Sequence, residues 1–185
     1  MKTHIVIHHS LTEDSRTMSW NAIRKYHKNA NGWRDIGYHF GIERIDRSYE
    51  ILMGRMLTDT GAHCKEMGMN RVGIGVCFVG NYDYLEPSID MVYEGAKLCA
   101  CMCELFNIKV ENIIGHSSLA TYKSCPGKMF PLELLRKLTT KRLLKAVTNG
   151  KSATRLRIVR VTEKRSGDQR KEGFQNLRRT EGDAP

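Results

Sequence analysis

Residues 3–10 read "THIVIHHS". Three consecutive β-branched apolar residues, Ile5, Val6 and Ile7, predict a buried strand that ends at the two histidines. Successive side chains of a strand alternate in direction, so His8 and His9 are expected on opposite faces. Downstream, a helical stretch over 15–29 follows, with Ser15 or Thr17 as its cap and "NANG" (29–32) as its stop. "IGYHFGIERIDRSYEILMGR" (36–55) reads as two strands around a turn at Asp46 to Ser48, and "RVGIGVCFVGN" (71–81) as a further apolar strand. Pro87 and Ser88 open a helix in which Ile89, Val92, Ala96, Cys99, Cys103 and Phe106 recur at spacings of three and four, one buried stripe. "NIIGH" (112–116) is a short strand delivering His116, and Pro131 starts a last helix through Leu134, Leu135 and Leu138. The expected fold is mixed α/β, a central β-sheet flanked by helices, in one domain over residues 1–148.

Length and composition agree with that division. A chain of 185 residues holds one well-packed domain plus an appendage, not two full cores. With 41% hydrophobic and 27% charged residues it has a globular composition, and no apolar run approaches the ~20 residues that span a bilayer. The start is broken by histidine after a short apolar run and does not read as a signal peptide, so residence in the cytosol is expected. The six cysteines, at 64, 77, 99, 101, 103 and 125, are accordingly expected as reduced thiols. The net charge of +10 is concentrated in the tail, where residues 141–185 carry thirteen Lys or Arg against five Asp or Glu. Within the extension 149–185, "TRLRIVRVT" (154–162) alternates as a strand would, and the remainder is charged and poor in core formers, the composition of a disordered segment.

A zinc hydrolase needs neutral imidazoles, with or without a thiolate, in a tetrahedron that leaves one corner for water. His8 and His116 both stand where apolar strands stop, stiff supports of the kind a preorganised site requires, and Cys125 offers a third corner. On spacing alone, a histidine at a strand end is equally well a solvated or hydrogen-bonded side chain.

Six separated segments add specificity: "IVIHHSLT" (5–12), "GWRDIGYHFGIE" (32–43), "GAHC" (61–64), "IGVCFVGN" (74–81), "IIGH" (113–116) and "KSCPG" (123–127). In this order they resemble the zinc-dependent N-acetylmuramoyl-L-alanine amidases, the family of bacteriophage amidase endolysins and peptidoglycan recognition proteins, over roughly residues 3–138. The resemblance implies a single zinc ion held by His8, His116 and Cys125, with Tyr38 and Lys123 as the catalytic partners. It also implies hydrolysis of the bond between N-acetylmuramic acid and L-alanine in peptidoglycan. The chemistry is coherent: a compact ammonium such as Lys123 suits a developing oxyanion, and a phenol such as Tyr38 can hydrogen-bond the water or the carbonyl and pass a proton to the leaving amine. Some branches of the family carry a glutamate general base at the position of Cys77. Its absence here shifts the proton work toward Tyr38.

The remaining candidates divide by type. His39, His63, Trp33, Arg55 and Asn81 are expected to line a substrate groove, while His9 is a core histidine or a contact behind the ligands. His4 and His27 read as surface residues. In "CACMC" (99–103) helical spacing puts Cys99 and Cys103 on the buried stripe and Cys101 away from it, which argues for core thiols rather than a metal cluster. The basic tail reads as a solvated extension, as a polycation for anionic envelope polymers, or as a nucleic-acid binder. The last is the poorest reading, because only Phe174 in the tail could stack on a base.

The expected biological setting is a monomeric phage or prophage endolysin that acts on the wall once another agent opens the membrane. A cytosolic wall-recycling amidase would use the same chemistry. A non-catalytic peptidoglycan-binding module is a third reading, against which Cys125 stands, since relatives lacking that cysteine lose the metal.

Overall fold

The computed structural model describes residues 1–12, 19–148 and 158–159. Its sheet has the order β5-β1-β4-β2-β3-β6, built from β1 (His4–His9), β2 (Phe40–Ile45), β3 (Ser48–Met53), β4 (Gly73–Phe78), β5 (Ile113–Gly115) and β6 (Ile158–Val159). The interior strand β1, second from one edge, runs parallel to both β4 and β5, with His8 beside Cys77 and Ile7 beside Gly115. β2 joins β4 in parallel and forms an antiparallel hairpin with β3; β6 pairs in parallel with β3. The hairpin turn is tight, and Asp46 takes the left-handed φ of 55° that Asp tolerates better than most residues. The mixed α/β sheet flanked by helices is the architecture expected from the sequence.

Four α-helices complete the described residues: α1 (Trp20–Asn29), α2 (Met69–Val72), α3 (Ile89–Phe106) and α4 (Leu132–Thr148). α1 starts later than expected. Its cap is Ser19, whose hydroxyl accepts from the Ala22 N–H, and the Glu43 carboxylate accepts from Trp20 N–H at 2.8 Å, a negative charge at the positive end of the helix. Ser15 and Thr17 lie outside the described residues. The described part of α4 runs to Thr148, and of the extension 149–185 only Ile158 and Val159 lie within the described residues, as a strand beside β3.

Strand alternation divides the core in two. Ile5, Ile7, Ile42, Ile74, Val76 and Phe78 meet Met91, Val92, Ala96, Leu98 and Cys99 of α3 and Leu135 of α4 on one face. On the other, Trp20, Ile36, Leu52, Cys77 and Val79 pack under α1, with Val6, Cys64 and Met69 beside them. His8 follows the parity of Val6 and so belongs to the second face, away from α3. α3 packs against both the sheet and α4, so its buried arc is wider than the single stripe expected. Cys101 is buried with the rest, whereas Ile89, at the exposed first turn, is 48% accessible. All six cysteines are free and buried.

His39, expected in a substrate groove, is a structural residue inside the fold. It is wholly inaccessible. Its backbone N–H donates to the Gly75 carbonyl at 2.9 Å, and its Nδ1 accepts from the Gly75 N–H at 3.0 Å, which ties the entry of β2 to the middle of β4. With Nδ1 accepting, the proton sits on Nε2, 3.3 Å from the Asp59 carbonyl, while the Lys2 ammonium stands 3.2 Å from the same nitrogen. Burial first, then the Lys2 charge, pulls the imidazole down to about 4.

Two outcomes follow from this packing. A Cβ on Gly95 would fall 2.4 Å from the Phe78 Cζ, so Gly95→Val is expected to cost about 1–3 kcal/mol of unfolding free energy by overpacking; an unchanged urea midpoint would contradict the close helix-to-sheet approach. For His39 the folded pKa lies below the unfolded value of 6.5, so the unfolded chain takes up the proton first and stability is lost as pH falls from 6.5 toward 4. The loss attributable to this residue is at most about 1.4 kcal/mol per pH unit. Urea midpoints for wild type and His39→Asn should converge as pH falls through that window; parallel curves would show that His39 is not held neutral.

Candidate metal centre

Two neighbouring strands deliver two imidazoles. His8 is the fifth residue of β1, and His116 follows directly on the last residue of β5, so parallel pairing sets the rings side by side with centroids 4.8 Å apart. The chain after His116 returns to them. Ser117 N–H donates to the Cys125 carbonyl at 2.7 Å, and the Cys125 Sγ accepts from the His9 N–H at 3.2 Å. Asp83 clamps the same loop from the β4–α3 connection by accepting from the Ser124 hydroxyl at 2.7 Å and the Lys128 N–H at 3.3 Å. Gly127 is required here: its φ is 110°, and a Cβ would lie 2.3 Å from the Tyr82 backbone.

As a result, one ligand atom from each of His8, His116 and Cys125 lies within 4.8 Å of the other two. The His8 Nδ1 and Cys125 Sγ are 3.6 Å apart, within the roughly 3.3–3.8 Å that separates N and S ligands on a tetrahedral zinc. Protonation states fit as well. Burial, then the neighbouring His63, His116, His9 and Lys123, pushes His8 well below its usual range, so the imidazole is neutral and its lone pair free. Burial also lowers His116, partly opposed by Glu66. Burial raises the Cys125 thiol to about 12 while the His9 N–H and Lys123 pull the other way. That thiol gives up its proton only in exchange for a cation, the usual coupling between metal binding and proton release. The donor set fits zinc by softness and number.

Around this trio stand the two expected catalytic residues. The Tyr38 ring is 5.2 Å from that of His8 and stacks at 6.2 Å on Trp20. Burial first, then Cys77 and Cys125, raises its hydroxyl well above the normal range, which keeps it a phenol and a donor. Lys123 is exposed, two residues before Cys125, and its charge is felt at His8, His116 and Cys125. His9 points to the other face, as alternation requires, where its Nδ1 accepts from the Tyr82 N–H at 3.2 Å.

The proposed groove residues fare differently. His63 is buried, with Nδ1 3.1 Å from the His8 Nε2. Arg55 spends its guanidinium on the carbonyls of Ile36 (2.8 Å), Thr60 (2.6 Å) and Asp35 (3.3 Å), and so latches loops together. Asn81 accepts from the Asp83 N–H at 3.2 Å. Trp33 is half-buried against His27, at 4.8 Å between rings. His27 itself, expected on the surface, wedges between Trp33 and Tyr38 and accepts from the Gly37 N–H at 3.1 Å.

Glu66 has no counterpart among the sequence expectations. Its carboxylate accepts from the Tyr122 hydroxyl and, at 3.3 Å each, faces the Cys64 Sγ and the His116 Nε2. Cys64, Glu66 and His116 therefore form a second cluster of ligand type that shares His116 with the first. A proton on Nε2 directed at Glu66 leaves Nδ1 as the His116 atom with a free lone pair, the arrangement in which a carboxylate orients a ligand histidine from behind. Fifty residues separate this pair, and no periodicity announces it.

Residues 2–128 match the family model described as N-acetylmuramoyl-L-alanine amidase. The chain is 33% identical over 127 residues to the endolysin of Klebsiella phage KP32, an alignment that covers 66% of this chain and 79% of the relative. Against the endolysin of Escherichia phage T7 it is 43% identical over 79 residues, 43% of this chain and about half (48%) of that one. Among solved structures, N-acetylmuramoyl-L-alanine amidase LysC from Clostridium intestinale superposes with a TM-score of 0.64 at 26% identity, covering 74% of this chain and 83% of that one. On the fold, the family model and these likenesses together, the chain belongs to the N-acetylmuramoyl-L-alanine amidase family of hydrolases.

Proposed function

We propose that this protein hydrolyses the amide between N-acetylmuramic acid and L-alanine in peptidoglycan, with one zinc ion held by His8, His116 and Cys125. The observation that carries the reading is the convergence of those three donors, two of them neutral imidazoles, in a chain of amidase ancestry. A module that only bound peptidoglycan would have no need of the buried thiol at position 125.

The chemistry a bound zinc supplies is polarisation of the amide carbonyl and activation of the attacking water. The protein's own side chains supply the rest. Lys123, the exposed cation beside the trio, holds the charge that develops on the carbonyl oxygen as water adds to the carbon. Tyr38 donates its hydroxyl proton toward the leaving nitrogen, which must depart as an amine when the C–N bond breaks, and recovers a proton from the added water. Position 77, where other branches place a carboxylate, carries a thiol in contact with the Tyr38 hydroxyl. No general base stands there, and the phenol carries the proton traffic.

The similarity to phage endolysins supports a lytic role from a phage or prophage, reaching the wall from the cytosol after the membrane has been opened. In that role intact sacculi should be cleaved in preference to small soluble muropeptides.

The deciding experiment measures new L-alanine amino termini released from purified sacculi. Stripping zinc with a chelator should abolish release, and added zinc should restore it. Cys125→Ser should lose both the metal and the activity. Lys123→Ala should keep the metal but lower kcat by about 10²–10³-fold, the usual loss for one oxyanion donor. Full activity after chelation, or in Cys125→Ser, would overturn the proposal.

A further inference from the structure

We propose that His63 is a positioning residue of the metal centre, which accepts a hydrogen bond from the His8 Nε2–H and thereby fixes which nitrogen of His8 faces the cation. The inference rests on the zinc reading above. Its geometric basis is independent of any ion.

The His8 Nδ1 faces the Cys125 Sγ at 3.6 Å, so Nδ1 is the atom turned toward the other donors. An imidazole ligates through a lone pair, so its proton must then be on Nε2. That nitrogen lies 3.1 Å from the His63 Nδ1, with the rings nearly perpendicular at 79°. His63 is thereby the acceptor and carries its own proton on Nε2. This Nε2 is buried and makes no hydrogen bond of good geometry, although the Gly73 backbone lies close enough to favour a proton on the ring.

A second observation comes from the backbone. Two glycines on two segments, Gly75 in β4 and Gly61 in the loop before it, clear the space that the His63 ring fills. A Cβ on Gly75 would lie 2.5 Å from the ring Cδ2 and Cγ, and one on Gly61 2.5 Å from Cδ2. Gly75 is in the middle of β4, where glycine weakens a strand unless something must come close. Here the imidazole comes close. From the loop side, the Asn70 side-chain oxygen accepts from the His63 and Cys64 N–H groups at 2.7 and 2.8 Å and holds the backbone in place. Behind the ring lies His39, at 5.5 Å. His63 is thus clamped on the sheet side by bare backbone and on the loop side by Asn70, with one nitrogen aimed at His8.

The test compares two substitutions of similar polarity. In His63→Asn the amide oxygen stands where Nδ1 does and keeps the acceptor. His63→Gln reaches past that point toward the position of Nε2. Zinc affinity is read by chelator competition, and the visible spectrum of the cobalt-substituted protein reports ligand geometry. His63→Gln is expected to bind zinc about 10–100-fold more weakly than wild type, the usual loss for a partner behind a metal ligand. His63→Asn should recover most of that affinity and the wild-type cobalt spectrum. Gly75→Ala, which leaves His63 in the sequence but forces its ring to move, should weaken zinc in the same way, and it replaces His63→Gln if that variant does not fold. The inference is overturned if Gly75→Ala and the folded His63 variants all hold zinc as wild type does, or if the Asn variant is as weak as the Gln variant. Wild-type protein that binds no zinc would instead sink the metal reading itself.

Discussion

Parallel pairing of β5 with β1 sets Gly115 beside Ile7, and this register brings His116 alongside His8. A slip of one residue would turn His8 into the face packed by α3, because side-chain direction alternates strictly along a strand. The register is held by the apolar residues that flank the histidines: Ile5 and Ile7 are wholly buried on the α3 side, Val6 on the other. Hydrophobic alternation therefore positions a polar site, and the loop that returns Cys125 needs only to close onto a pair already assembled.

The second constraint is electrostatic. His8, His39, His63 and His116 lie in one buried region, beside the buried ammonium of Lys2, with Glu66 at its edge as the carboxylate in contact with one of them. Burial and mutual repulsion hold the imidazoles neutral. Neutral imidazole is the form that can ligate a cation, pass a hydrogen bond along, or accept one from the backbone, and the four rings are employed in those ways. The arrangement costs stability in acid and gains a set of lone pairs ready without prior deprotonation. Only the thiol must still lose a proton.

Much of the architecture was legible in the sequence. The apolar runs at 5–7, 74–79 and 113–114 mark β1, β4 and β5, and Ser88 with the apolar positions after it marks α3. His8, His116 and Cys125 stood out because strand ends and a "CPG" turn are recognisable locally, and because six segments in order resemble one family. What escaped was contact between distant loops. Nothing near Glu66 indicates that it meets His116, nothing in "GAHC" indicates that His63 faces inward onto His8, and nothing near Arg55, expected in the substrate groove, indicates that its guanidinium is taken up by backbone carbonyls. The same holds for His39, whose role depends on Gly75, thirty-six residues away on another strand. The start of α1 is not local information either: Ser15, Thr17 and Ser19 are all cap-type residues, and Glu43 of β2 accepts from the Trp20 N–H just after Ser19.

The convergence of His8, His116 and Cys125 supports the proposal of one zinc ion bound by two imidazole nitrogens and one sulfur. X-ray absorption at the zinc edge of the purified full-length protein tests it most directly. With the ion held by these three side chains, the spectrum is expected to show one sulfur at about 2.3 Å and two imidazole nitrogens at about 2.0–2.1 Å, with one further light atom completing four-coordination. A first coordination sphere without sulfur, or one with two sulfurs, would contradict it.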